Sequence, residues 1–228
     1  MSLDFIKPQL ATAVDYPTPR AGWIHEVKHD GYRTVLIIER RKARAYTRNG
    51  FDWTERYPGP TKAAAKLDCR SAIIDGEVIV QDEHGVSDFE ALKSAIRWRP
   101  QSLILCAFDL LHLNGKDLRQ LTLLERRGKL KELVPSEHPF LFSEEFTGDA
   151  AAFFQACADH QTATDSHGLG TDYRCWNQRK IDRAILPTGN LRVQHGHPPR
   201  LARTGQEPFN RVSPARAVQT SIFFNGLL

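Results

Sequence analysis

The 228 residues, of which 41% are apolar and 25% charged, have the composition of an ordinary soluble protein that can bury a sizeable core. The sequence has no run of about 18 apolar residues and no basic-then-apolar leader, so we expect neither a membrane span nor secretion. The four cysteines fall singly, which predicts neither a zinc site nor a disulfide frame and suits a reducing cytoplasm.

The formal net charge of +4 is unevenly distributed. Residues 1–160 hold 22 lysines and arginines against 23 aspartates and glutamates, whereas residues 161–228 hold nine against four. Basic charge suits a polyanionic partner. The excess of basic residues lies in residues 161–228, outside the part of the chain with regular hydrophobic periodicity. Composition alone therefore does not establish nucleic-acid binding.

Hydrophobic periodicity is regular up to about residue 160. It predicts strands at 23–28, 33–39, 43–47, 72–80, 103–109 and 139–143. It predicts helices at 59–67, 88–97, 122–134 and 148–159. Strands outnumber helices and several follow one another through hairpins, which favours a mixed α+β domain over a parallel doubly wound sheet.

Two predicted helices have clear N-terminal signals. The segment Ser87-Asp88-Phe89-Glu90 predicts a cap at the start of one helix. Thr122 and Glu125 have the spacing of a capping box ahead of a leucine-rich helical face.

The pattern changes at residue 161. Residues 161–228 are rich in Gly, Pro, His, Gln and Arg, contain one lysine against eight arginines, and show no lasting apolar periodicity. Such a composition buries little apolar surface to offset the entropy of ordering the chain. We therefore predict an ordered domain over residues 1–160 and a poorly ordered basic tail over residues 161–228.

A lysine lies where the first long strand ends. Lys28 precedes the Asp30-Gly31 turn, and Arg33 opens the next strand. An amine is a nucleophile only when unprotonated, a state that neighbouring cations and partial burial favour. The alternative is a β-hairpin whose lysine is simply solvated.

Four further residues have side chains suited to binding a nucleotide. Arg48, at an Asn-Gly turn, carries a planar fork for phosphate or ribose oxygens, although an exposed turn arginine is the simpler interpretation. Glu77, between two apolar triplets, could hold a ribose hydroxyl or hydrated Mg²⁺, or form a structural ion pair. Phe108 could stack on adenine or belong to the core. Glu26, on the same side of its strand as Lys28, could accept a hydrogen bond from the adenine amino group or be solvated.

The order of these motifs resembles that of the ATP-dependent DNA ligase family. The segment His25-Glu26-Val27-Lys28-His29-Asp30-Gly31-Tyr32-Arg33, followed by Arg48, Glu77 and Phe108, is similar to motifs I, Ia, III and IIIa of that family. The opening Ile6-Lys7-Pro8-Gln9-Leu10-Ala11 resembles the segment preceding the lysine motif. The resemblance covers about residues 4–160, and the closest match is the ligase module of bacterial end-joining multidomain ligases.

The resemblance implies a nucleotidyltransferase (ATP-grasp-like) adenylation domain of mixed sheets flanked by helices. It implies that ATP and Mg²⁺ are the cofactors and that Lys28 takes AMP as a lysyl-AMP phosphoramidate. Nicked or broken DNA is then the substrate, in DNA repair and recombination. The implied nucleotide-binding residues are Glu26, Val27, Arg33, Arg48, Glu77 and Phe108, with Glu77 also the metal ligand.

The resemblance further implies a cytoplasmic, nucleoid-associated protein that works with end-joining repair proteins. Two later family motifs, a Glu-Gly pair followed by a lysine and a Lys-X-Lys strand, do not appear after residue 161, nor does the family's OB domain. The only later glutamate is Glu207 and the only later lysine is Lys180. We interpret this loss as a truncation or shifted reading frame and expect weak self-adenylation without nick sealing.

Two alternatives stay open from the sequence. One is a catalytically dead remnant that binds nucleotide or nucleic acid. The other is an RNA ligase or a capping-type nucleotidyltransferase of the same superfamily.

Overall fold

The computed structural model describes residues 2–10, 12–13, 23–146, 152–153, 157, 163–168 and 183–186. All of these residues belong to one structural unit, residues 1–191. The helices are α1 (Pro58–Ala64), α2 (Phe89–Trp98) and α3 (Leu123–Leu133). The strands are β1 (Thr12–Ala13), β2 (Trp23–Lys28), β3 (Tyr32–Glu39), β4 (Lys42–Thr47), β5 (Ser71–Ile79), β6 (Ile104–Leu113), β7 (Lys116–Asp117), β8 (Phe140–Phe142), β9 (Glu145–Phe146), β10 (Ala163–Gly168) and β11 (Arg183–Leu186).

The predicted mixed α+β architecture is confirmed. All six predicted strands and three of the four predicted helices are present, with ends that differ by a few residues. The predicted helix at 148–159 lies mostly outside the described residues. Within this range the structure describes Ala152, Phe153 and Cys157, and these three are helical. Both helix caps are also confirmed, because Asp88 accepts from the N–H of Ala91 and Thr122 forms a complete capping box with Glu125.

A six-stranded sheet forms the centre of the described region, in the order β4-β3-β5-β6-β7 with β8 parallel to β6. One face of this sheet is covered by helices. Leu36 and Ile74 on the strands pack in one buried cluster with Leu92 of α2 and Leu130 of α3. This is the main hydrophobic core, and removal of its apolar surface from water is the principal favourable term in the fold.

The opposite face of the six-stranded sheet is covered by the N-terminal segment. Val35, Ile37 and Ile73 are buried there against Leu3, Phe5 and Ile6. Since alternate residues of a strand share a face, this face also carries Arg33, Asp75 and Glu77. The sheet therefore places its polar side chains on the face without the three helices.

A second, five-stranded sheet has the order β1-β11-β10-β2-β9 and contains the lysine strand β2. Its strand β10 pairs antiparallel with all of β2, with Ala163 opposite Lys28 and Asp165 opposite Glu26. Strands β10 and β11 lie beyond residue 160, within the segment for which we predict a poorly ordered tail. The rest of 161–228 lies outside the described residues, and the predicted tail stays a prediction.

The ladder between β5 and β6 contains a β-bulge, which lies on β6 opposite the step from Asp75 to Gly76. Asp75 is opposite Asp109, but Gly76 is opposite Ala107, which leaves Phe108 as an extra residue on β6. A bulge bends its strand and re-aims the side chain of the extra residue. The bulge thus sets the direction of the Phe108 ring.

Glycine is required at position 76 because the strands approach closely there. A Cβ built on Gly76 would lie 2.6 Å from the carbonyl oxygen of Cys106. In contrast, a Cβ on Gly128, an exposed residue of α3, would meet nothing within 4 Å. None of the described helices is long and apolar enough to cross a membrane.

We predict opposite effects for alanine at these two glycines. Gly76→Ala should lower the free energy of unfolding by about 1–3 kcal/mol, since the new methyl must push backbone apart. Gly128→Ala should raise it by about 0.5–1 kcal/mol, since alanine restricts the unfolded chain and favours the helix. Urea unfolding followed by circular dichroism measures both changes, and an unchanged midpoint for Gly76→Ala would contradict the close approach.

Candidate active site

Lys28 ends β2 in a partly open position. Its side chain is 27% exposed, and Nζ lies 4.0 Å from Oδ1 of Asp30 in the following turn. The backbone N–H of Asp30 donates to the hydroxyl of Ser87 at 2.8 Å, which ties this turn to the loop before α2. The amine is therefore neither buried in the core nor directed freely into solvent.

Gly31 allows the lysine turn to sit directly on β5. A Cβ built at this position would lie 2.3 Å from the carbonyl oxygen of Val78 and 2.9 Å from Cγ of Glu77. No side chain fits that gap, which explains in physical terms why glycine stands three residues after the lysine. The same contact brings Glu77 next to the turn that carries Lys28.

Arg33 and Phe108, both predicted site residues, are in direct contact. The Cζ atom of Arg33 lies 4.3 Å from the centroid of the Phe108 ring, a cation–π arrangement. Arg33 also donates through Nε and Nη2 to the two carboxylate oxygens of Asp75, each at 2.7 Å. Asp75 is 1% exposed, so this bidentate pair is largely shielded from water.

Asp75 was not predicted as a partner of Arg33. The sequence does place it in the Asp75-Gly76-Glu77 motif, but strand register alone puts Glu77 opposite Arg33. The bidentate ion pair runs diagonally to Asp75, two residues further along β5. Such a diagonal pair depends on side-chain reach, which register does not specify.

Glu77 is half-buried between Arg33 on β3 and Cys106 on β6. Burial, followed by the charges of Glu26 and Glu77, raises the pKa of the Cys106 thiol well above its ordinary value. The carboxylates of Glu26 and Glu77 therefore both lie near the buried Cys106 of β6. This brings the lysine strand and the Glu77 strand to the same region of the domain.

Arg48 lies in an exposed turn after β4, as predicted. The turn is closed by a hydrogen bond from the N–H of Gly50 to the carbonyl of Thr47 at 2.8 Å. Within the described part of the chain, no hydrogen bond or ion pair joins Arg48 to another predicted site residue. Its assignment to the nucleotide site stays a prediction, as does that of Val27, a half-buried residue of β2.

Glu26 is the most buried of the predicted site residues, at 2% exposure. Its Oε2 accepts from Nη1 of Arg127 at 2.9 Å and from the Ser143 hydroxyl at 2.8 Å. These contacts exclude the interpretation of Glu26 as a solvated edge residue, whereas the adenine contact predicted for Glu26 stays a prediction. The structure gives this carboxylate a protein partner that the motif comparison did not include.

Arg127 joins three parts of the domain around Lys28. Besides Glu26 it donates to the carbonyl of Phe108 at 3.0 Å, to the carbonyl of Ser143, and to Oε2 of Glu145 at 2.7 Å. Burial acts to lower the pKa of Arg127, but the charges of Glu26 and Glu145 outweigh it and raise the pKa above its ordinary value. The guanidinium is therefore a permanent cation that holds β2, β6 and the β8–β9 segment together.

The neighbouring Arg126 forms a separate buried pair. Its Nε and Nη2 donate to Asp109 at 2.7 and 2.9 Å, and its Nη1 donates to the carbonyl of Leu121 at 2.8 Å. Sequence reasoning missed both arginines. A usable signal was present, since Arg127 lies four residues after Leu123 and three before Leu130 and therefore shares the apolar face of α3.

The residues present fit a bound nucleotide with its metal. An amine, two guanidiniums, a half-buried carboxylate and an aromatic ring are suitable partners for phosphates, ribose and a base. Among the described residues no group of three or more metal-binding side chains occurs. A single carboxylate such as that of Glu77 nevertheless suits Mg²⁺, which is commonly held by one or two carboxylates together with substrate phosphates and water.

Residues 8–169 match the family model described as ATP dependent DNA ligase domain. The LigD multifunctional non-homologous end joining protein of Pseudomonas aeruginosa is 39% identical over 175 residues, which are 75% of this chain and 21% of LigD. The corresponding DNA repair protein LigD of Mycobacterium tuberculosis is 32% identical over 158 residues, 69% of this chain and 20% of its own length. The chain thus spans about a fifth of the length of these curated relatives.

A solved structure with a similar fold is the mycobacterial DNA ligase D complexed with ATP and MES. It aligns with a TM-score of 0.67 and 26% identity over 79% of this chain and 59% of that chain. The α+β nucleotidyltransferase fold expected from the motifs is therefore confirmed. Since the family match covers well over half of the chain and includes the strands that carry Lys28, Glu77 and Phe108, the chain belongs to the ATP-dependent DNA ligase domain family.

Proposed function

We propose that this domain transfers AMP from ATP to Lys28 and then to a 5′-phosphate at a nick or broken end of DNA. The observation that carries the proposal is the position of Lys28. Its amine is partly exposed at the end of β2, on a turn that rests on β5 beside Glu77. The bidentate pair of Arg33 and Asp75, with the Phe108 ring against it, lies on the strands that follow.

The first step forms one bond and breaks one. The unprotonated Nζ of Lys28 bonds to the α-phosphorus of ATP while the bond from that phosphorus to the pyrophosphate oxygen breaks, and the amine releases a proton to solvent. In the next two steps a DNA 5′-phosphate oxygen displaces the lysine, and a 3′-hydroxyl displaces AMP to join the strand. Such transfers depend mainly on positioning and on balancing charge.

Four of the predicted nucleotide-binding residues have a role in this proposal that suits their position. Arg33 is fixed by Asp75 and supports Phe108, which is aimed by the bulge toward the base. Glu77 would hold ribose or a water of Mg²⁺, and the ion would neutralise phosphate charge. Arg48 would approach the phosphates or sugar from its exposed turn.

The proposed activity is slow for this chain. The family's later Glu-Gly and Lys-X-Lys motifs, whose lysines serve the α-phosphate, do not occur in residues 161–228. Loss of one transition-state contact of this kind costs roughly 10²–10³ in rate. Self-adenylation is therefore expected to be weak and nick sealing by the chain alone undetectable, with end-joining repair proteins as proposed partners for activity on DNA.

Lys28→Ala is predicted to abolish covalent labelling by α-³²P-ATP with Mg²⁺. The wild-type chain should acquire slow, acid-labile label on Lys28, since the P–N bond can form only with that amine. Lys66→Ala is the matched control, because Lys66 is an exposed lysine on the same domain, and it should label like the wild type. Equal labelling of Lys28→Ala and wild type would refute the proposal, and an unlabelled wild type that still binds DNA would favour the inactive remnant.

Arg127→Met is predicted to slow labelling of Lys28 by roughly tenfold to a hundredfold at saturating ATP, since small displacements of reacting groups are costly. Arg126→Met is the control. Both variants leave a largely buried carboxylate without its cation, at a cost of about 3–5 kcal/mol in unfolding free energy. Arg127 is bonded to Glu26 of the lysine strand, whereas the carboxylate partner of Arg126 is Asp109 of β6, so Arg126→Met should label nearly as fast as wild type.

Labelling in this comparison is measured at a temperature where urea titration shows both variants to be folded. Equal labelling rates for the two variants would mean that the contact between Arg127 and Glu26 does not position the lysine. A slower Arg127→Met with an unchanged Arg126→Met would assign Arg127 a positioning role.

A further inference from the structure

The turn between β3 and β4 has an unusual composition for its backbone conformation. Arg40 and Arg41 are the two residues at its tip, with φ angles of +49° and +60°. A two-residue hairpin turn with both φ angles positive favours Asn-Gly, since side chains other than glycine and asparagine are disfavoured in the left-handed region. The fold thus holds two arginines where neither is conformationally favoured.

These two arginines belong to a cluster that we call the hairpin-turn patch, comprising Arg40, Arg41, Lys42, Lys62 and Arg70. All five residues are exposed. The N–H of Arg40 donates to the carbonyl of Arg70 at 3.1 Å, which fixes the turn against the start of β5.

Local carboxylates do not balance the hairpin-turn patch. Glu39 is engaged by the Arg44 guanidinium at 2.8 Å, by the Ser2 hydroxyl at 3.0 Å and by the N–H of Leu3 at 2.7 Å. Although partial burial opposes them, these contacts lower the pKa of Glu39 below its ordinary value, so it stays ionised and paired. The exposed carboxylate of Asp68 also lies beside Arg40, Arg41 and Arg70, so the five cations of the patch keep a net positive excess after it is counted. Residues 1–160 as a whole carry slightly more acidic than basic residues, so this excess is local.

Two open grooves border the patch and share Arg40 in their lining. One, of about 750 Å³, runs between the turn, β4 and α1 and includes Lys42 and Lys62. The other, of about 970 Å³, runs between the turn and the start of β5 and includes Arg41 and Arg70. Open grooves lined by cations suit an extended polyanion better than an enclosed small molecule.

The distance from Arg33 to the hairpin-turn patch corresponds to less than one helical turn of duplex DNA. Arg40 is seven residues from Arg33 along β3, which corresponds to about 23 Å at about 3.3 Å per residue. Phosphates of one DNA strand repeat about every 3.4 Å along the helix axis, so this length equals about seven base pairs. A duplex that lay along β3 with its nick at the Lys28 end of the strand would therefore reach the patch within one helical turn.

We propose that the hairpin-turn patch binds the phosphate backbone of duplex DNA about seven base pairs from the nick. The proposal rests on the DNA substrate proposed above and adds a second contact surface to it. Arginine and lysine contacts of this kind provide affinity without sequence preference. Each phosphate that they neutralise makes the slope of log K against log salt concentration steeper by about 0.9.

The test uses the full chain with Arg40→Asn and Arg41→Gly combined. Asn-Gly is the favoured pair for this turn, so two charges are removed while the backbone becomes less strained. The expected result is about tenfold weaker binding of a nicked duplex with 12-base-pair flanks at 0.1 M salt, and a salt slope lower by about 1.8. Duplexes with 4-base-pair flanks should bind wild type and variant alike.

The charge-matched control is Arg97→Gln combined with Arg99→Gln. These exposed arginines lie at the end of α2, on the helix-covered side of the six-stranded sheet. The proposal is overturned if both double variants bind equally, if the weakening does not depend on flank length, or if the wild-type chain binds no DNA. Labelling of Lys28 by ATP, measured in parallel, needs no DNA, so failure of the adenylation proposal is distinguished from failure of this one.

Discussion

The buried guanidinium of Arg127 is the constraint on which the arrangement around Lys28 depends. A cation at 2% side-chain exposure needs partners for its charge, and here two carboxylates and two carbonyls accept from Nη1 and Nη2, whereas the buried Nε has no hydrogen-bond partner. Those acceptors belong to β2, to β6 and to the residues around β8 and β9. A helix residue thereby connects the five-stranded sheet that carries the lysine with the six-stranded sheet that carries the ring.

The two faces of the six-stranded sheet have different tasks. The helix-covered face holds the main apolar core, and its contacts are of the non-directional kind that tolerate exchange of similar side chains. The other face carries Arg33, Asp75 and Glu77, whose geometry is fixed by bidentate and register-specific contacts. The residues that stabilise the fold and the candidate site residues on these strands thus lie largely on opposite faces of the sheet.

The helices and long strands up to residue 146 could be predicted from the sequence, because apolar periodicity and the Asp-Gly turn are local signals, while the role of Lys28 stays a prediction. The partners of the charged site residues could not. Asp75 was distinguished from Glu77 only by side-chain reach, and Arg127 lies about a hundred residues from Glu26. Strands β10 and β11 were missed because their apolar pattern is weak, and pairing with β2 overrides that weak local preference.

The bulge at Phe108 has a consequence for how this domain can vary over evolutionary time. Loss of the Phe108 codon would remove the ring that Arg33 contacts, while Ala107 and Asp109 kept their partners on β5. An equal loss at the exposed Ser136, which follows α3, would shorten only a loop. Length polymorphism should therefore accumulate in that loop and be purged from the middle of the strand.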